Sequence, residues 1–157
     1  MRHYNAKLLE FTKPGFTDLH ILSVANLPAT IGGAPVNDFA NGLNAQTVTL
    51  KPLNPGDVVE YVVVASKPPL AGPTGAPTVQ INVATAGTNL TGTIVANAAA
   101  TLGGISSPSQ GNAYLQAADT LVAAFAAGGG NGAVPTAGEI WIWSAIFSAQ
   151  DRQLLQG

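Results

Sequence analysis

Residues 78–83, TVQINV, decide the fold class. Val79, Ile81 and Val83 alternate with Thr78, Gln80 and Asn82. A period of two places the three aliphatic side chains on one face of a strand and the three polar ones on the other. Such a segment buries one face only, so it asks for a second layer to cover it. The stretches around it follow the same rule.

Downstream, AGTN makes a turn and LTGTIVANAA (90–99) is expected to form another strand. Upstream, AQTVTLKPL sets Val48 and Leu50 against Thr47, Thr49 and Lys51. Asn54-Pro55-Gly56-Asp57 is a turn by mechanism, because proline presets φ and glycine accepts a positive one. It launches VVEYVVVAS (58–66), which is apolar on both faces and expected to be a central strand. On simple alternation Glu60 shares a face with Val58 and Val62. KPPLAGPTGAP (67–77) is expected to be an exposed connection, since proline donates no ladder hydrogen bond.

Near the carboxyl end, QAADTLVAAFAA carries good helix formers. Its position between glycine-rich turns favours a strand, expected to form a hairpin with 138–148. In AGEIWIWSAIF (137–147), Ile140 and Ile142 point to one face and Trp141 and Trp143 to the other. The two tryptophan Cα atoms are then about 6.8 Å apart. The aromatic face suits a core, a partner subunit or a ligand. Short strands with a turn signal every 8–12 residues predict an all-β, antiparallel β-sandwich over 44–157. Residues 1–43 are expected to form an extended N-terminal arm with one strand at TDLHILSVA.

Composition restricts the function. Lys, Arg, Asp and Glu make up 9% of the 157 residues, against about 25% in ordinary soluble domains. The net charge of −2 comes from few charges, not from many that cancel. No basic patch is available for phosphates, which argues against nucleic acid. Cysteine is absent, so no disulfide or thiolate metal site is expected. The amino-terminal stretch lacks the apolar core of a signal peptide, and no apolar run approaches the ~20 residues of a membrane-spanning helix.

Chemistry is sparsely represented. His3 and His20 are the imidazoles, and Asp18 shares a strand face with His20. No G-x-S-x-G elbow surrounds a serine, and the carboxylates are scattered beside turns. GGGNG (128–132) fails the spacing of a dinucleotide fingerprint and opens no helix. No catalytic residue, cofactor or metal is expected.

Residues 44–149 resemble tailed-bacteriophage virion proteins with β-sandwich or jelly-roll domains. The resemblance lies in the order of segments: NPGDVVEYVVVAS, then GAPTVQINVATAGTNL, then DTLVAAFAAGGG paired through a loop with TAGEIWIWSAIF. It implies a non-enzymatic capsid decoration or cement protein on the head exterior, assembled in the bacterial cytoplasm. It further implies a homotrimer bound to the major capsid protein, without nucleic acid or membrane. Trp141, Trp143, Phe147 and Tyr61 are the candidate contact residues. Head fibres and tail spikes use similar domains, so a carbohydrate- or receptor-binding module is the alternative.

Overall fold

The computed structural model describes residues 2–5, 16–24, 39, 42–66, 68–97 and 113–148. These residues form strands and turns, with no helix among them. The strands are β1 (Arg2–Asn5), β2 (Asp18–Ser23), β3 (Thr47–Leu53), β4 (Val58–Ser66) and β5 (Thr78–Val83). They continue as β6 (Thr88–Asn89), β7 (Ile94–Val95), β8 (Ala113–Tyr114), β9 (Asp119–Ala126) and β10 (Glu139–Phe147).

Two antiparallel sheets pack face to face. The front sheet has the order β1-β2-β10-β4-β8, and the back sheet β3-β9-β5-β6, with β7 also on β5. Pairing is nested. β2 pairs with β10, β3 with β9, β4 with β8 and β5 with β6. Folding a long antiparallel ribbon over itself gives this arrangement, which is the jelly-roll order.

The alternation in TVQINV is realised. Val79, Ile81 and Val83 are fully buried between the sheets, and so are Ile140 and Ile142 from the facing layer. Phe39 and Phe125 meet edge to face in the same core, with ring centroids 5.4 Å apart. The turn before β4 is a type II turn. The Asp57 amide donates to the Asn54 carbonyl at 3.0 Å, and Gly56 has φ +89°. Asp57 is buried, and its carboxylate accepts the Asn54 amide at 2.8 Å.

Several expectations are corrected. Residues 119–126 form a strand, but β9 pairs with β3 and β5, not with β10. The hairpin expected between 119–126 and 138–148 is therefore absent. In the nested ribbon β9 follows its partner β3 into the back sheet and β10 follows β2 into the front sheet, so the 127–138 connection crosses between them. Nor does the sandwich begin at residue 44. β2 lies between β1 and β10, and Phe39 and Leu43 are buried in the core. Of the described residues 90–97, only Ile94 and Val95 hold strand pairing. The remaining expected arm segments and residues 98–112 lie outside the described residues.

Glu60 does not share a face with Val62. Ala145 pairs with Tyr61 and Ile146 with Val59, so Glu60 is the extra residue of a β-bulge. The bulge resets the alternation. Val59 turns into the core, while Glu60 is exposed.

The 68–77 connection is exposed at its tip but firmly held. Its partner is the β9–β10 connection. Ala71 exchanges hydrogen bonds with that segment, donating to the Ala137 carbonyl and accepting from the Thr136 amide, both at 2.9 Å. Further along, the Thr74 amide donates to Asn131 Oδ1 at 2.8 Å, and the Asn131 amide donates to Thr74 Oγ1 at 3.2 Å. Glycine is required here for space: a Cβ on Gly130 would run into the Thr74 carbonyl.

Candidate functional site

The outward faces of the two sheets differ sharply in chemistry. On the back sheet, Thr47, Ala124 and Gln80 stand level with one another, and the next row holds Thr49, Val122 and Asn82. Mostly short and polar, this face suits water. On the front sheet, Trp141 is level with Ile21 and Ala65, and Trp143 with Leu19 and Val63. Ala145 and Tyr61 form the following row, and Phe147 with Val58 the last.

These outward rows exist because β10 and β4 are largely apolar at both parities and β2 is apolar at its outward positions Leu19 and Ile21. β10 supplies isoleucine inward and tryptophan outward, and β2 supplies Leu22 inward with Leu19 and Ile21 outward. Leu19 and Ile21 are 5% and 3% exposed, and the two indoles pack against them. The tryptophans are half-buried, with ring centroids 5.7 Å apart and planes inclined at 42°. Two rings so inclined offer no common flat surface for a sugar. The Trp141 indole N–H donates to Glu139 Oε2 at 2.7 Å, which satisfies its polar edge.

The aromatic surface continues to the lower rim. Phe16 and Tyr61 meet edge to face with centroids 5.1 Å apart, and Phe147 is 41% exposed. The structure thus gathers Tyr61, Trp141, Trp143 and Phe147 onto the outward side of one sheet. Sequence periodicity alone missed Leu19, Ile21 and Phe16, which complete that surface. The signal for Leu19 and Ile21 was present in DLHILS, where these two share one parity and Leu22 takes the other.

The residue types of a hydrolytic triad share the inward side of the front sheet. Asp18, His20 and Ser144 all face the interior of the sandwich, and Ser144 pairs in register with Asp18. His20 and Ser144 are completely buried. The Asp18 carboxylate is turned to other partners. Lys51 Nζ, reaching across from the back sheet, donates to Oδ1 and Oδ2 at 3.0 Å each, and Thr17 Oγ1 donates to Oδ2 at 2.8 Å. The arrangement can tie the two sheets together, and the burial of His20 and Ser144 denies a substrate access to them.

Comparison with protein-family models, curated proteins and solved structures finds no significant match. Functional argument therefore rests on this geometry. Among the described residues no group of three or more His, Asp or Glu side chains could hold a metal ion. No helix among them is long and apolar enough to cross a membrane.

A shallow cavity of about 310 Å³ lies at the upper rim of the front sheet, lined by Ser23, Val24, Pro68, Thr136 and Glu139 among others. Its wall is largely aliphatic and backbone. At the opposite pole of chemistry stands Asp119, where β9 begins. Its carboxylate accepts the amides of Thr85, Ala86 and Thr120, clamping the β5–β6 turn. The Thr85 amide bond is the largest influence on this carboxyl. Together with the Thr120 and Ala86 amides it holds the group below its ordinary range, against a push upward from desolvation.

Proposed function

We propose that this chain is a non-enzymatic structural subunit of a phage virion. It serves as a capsid decoration or cement protein that self-associates and binds the major capsid protein on the head exterior. The observation that carries this reading is the chemical asymmetry of the sandwich, with one outward face polar and the other apolar and aromatic. A jelly roll needs only its inner faces to make a core. An outer face built from Trp, Leu, Ile, Val and Tyr fits contact with another protein, because aromatic residues concentrate at interface centres.

Composition supports the same reading. With 9% charged residues, the chain lacks the densely charged surface that keeps a free monomer apart from its neighbours. Jelly rolls serve viral capsids, lectins and cupins alike, so the fold by itself does not choose among them. The tilted indole pair and the core placement of Asp18, His20 and Ser144 favour the structural role over sugar binding or catalysis.

Sedimentation of the purified chain tests the proposal, followed by binding to phage heads stripped of their accessory proteins. We expect a homo-oligomer, three subunits by the symmetry of the proposed capsid positions, that raises the heat resistance of the heads. Phe147→Glu and Trp143→Arg should each weaken self-association at least about tenfold, equivalent to about 1.4 kcal/mol, with the β-sheet circular dichroism retained. A monodisperse monomer without affinity for heads would overturn it.

A further inference from the structure

The GGGNG run takes no part in the contact surface, yet it contains the single Asn-Gly step among the described residues, Asn131–Gly132. Asparagine before glycine is chemically labile, because no side chain on the following residue obstructs its backbone nitrogen. The Gly132 nitrogen attacks Asn131 Cγ and forms a new C–N bond. The bond from Cγ to the amide nitrogen breaks, ammonia leaves, and a five-membered succinimide remains. Water then opens the ring at either carbonyl. One opening gives aspartate. The other gives isoaspartate, in which the main chain runs through the β-carbon and gains one atom.

The surroundings of Asn131 bear on both steps. Its side-chain oxygen is held by the Thr74 amide at 2.8 Å, and its own amide is held by Thr74 Oγ1 at 3.2 Å. Attack by Gly132 requires the side-chain carbonyl to swing toward the following nitrogen, which means releasing Thr74. The flanking glycines have no slack. A Cβ on Gly130 would meet the Thr74 carbonyl, and one on Gly132 would meet Asn44 Cβ at 2.5 Å. A chain lengthened by one atom between them has nowhere to go.

We propose that Asn131–Gly132 is a deamidation site gated by the clamp between the 68–77 and 127–138 connections. The closed clamp suppresses the reaction. Isoaspartate, once formed, prevents the clamp from closing, whereas aspartate keeps an oxygen for the Thr74 amide and lets it close. A chain that ages while unfolded or locally opened therefore carries a permanent record at this loop.

The full-length protein is incubated in mildly alkaline buffer, folded and in guanidinium chloride, and residue 131 is followed by peptide mapping. Deamidation in the folded protein should be slower by at least about tenfold, since it must await local opening. Equal rates overturn the gating. After refolding, hydrogen exchange at the Thr74 amide distinguishes the products. The aspartyl form and an Asn131→Asp variant should keep wild-type protection, while the isoaspartyl form should lose it. Wild-type protection in the isoaspartyl form, or lost protection in Asn131→Asp, overturns the role given to the clamp.

Discussion

Glycine 130 and glycine 92 look alike in the sequence and differ completely in their surroundings. A Cβ on Gly130 would collide with backbone of the facing connection, which cannot rotate away as a flexible side chain would. Gly130→Ala should therefore lower stability by roughly 3 kcal/mol or more in urea unfolding. Gly92 has open space around it and no left-handed φ. Alanine there should change stability by no more than about 0.5 kcal/mol, or raise it slightly by restricting the unfolded chain. Asp119 gives a second prediction at this scale. The Thr85 amide, ahead of those of Thr120 and Ala86, holds its carboxyl below the ordinary aspartate range in the folded chain. A depressed carboxyl contributes stability that is complete above its unfolded pKa and is lost as pH falls through the folded one. The unfolding midpoints of wild type and Asp119→Asn should differ by a constant amount above the ordinary carboxylate range and converge as pH falls through and below it. A gap that persists undiminished in acid would contradict this.

At the scale of strands, side-chain direction was legible in the sequence and pairing was not. Alternation placed Val79, Ile81, Val83, Ile140 and Ile142 correctly in the core. Neighbourhood in the chain suggested β9 beside β10, but nested pairing sends those strands to opposite sheets. Nothing local in DTLVAAFAA marks that choice, because partners are selected by the whole ribbon. Bulges escaped for a related reason. When VVEYVVVAS is apolar at both parities, an extra residue at Glu60 leaves no break in the pattern. A similar shift between Thr49 and Lys51 in β3 leaves Lys51 reaching for Asp18 in the other sheet. That inter-sheet pair can be tested directly. Lys51→Met leaves a carboxylate whose side chain is 5% exposed without its cation and should cost about 1–3 kcal/mol. Lys51→Met combined with Asp18→Asn removes both charges and should be less destabilising than Lys51→Met alone, as read from a double-mutant cycle. Strict additivity would mean that the two groups are not coupled.

For the whole molecule, the few charges and the apolar front face lead to a single expectation about association. Contacts driven by charge steering weaken as salt shortens the screening length, which falls from about 14 Å to about 4 Å between roughly 0.05 and 0.5 M ionic strength. The outward rows of β4 and β10 offer Trp141, Trp143, Val63 and Phe147, with Leu19 and Ile21 buried beneath the indoles, and Glu139 at their head is already engaged by the Trp141 N–H. Burying such a surface is a hydrophobic event, governed by area and not by ionic strength. It should also carry a negative heat-capacity change. If the front face is the contact proposed above, self-association measured by sedimentation should vary by less than about threefold over that salt range. Sulfate, which is excluded from protein surfaces, should strengthen it. Trp143→Arg should remove both behaviours together, since it places a cation in the middle of the buried rows. An association that collapses in sodium chloride would instead assign the contact to the scattered charges and leave the front face without a partner in the oligomer.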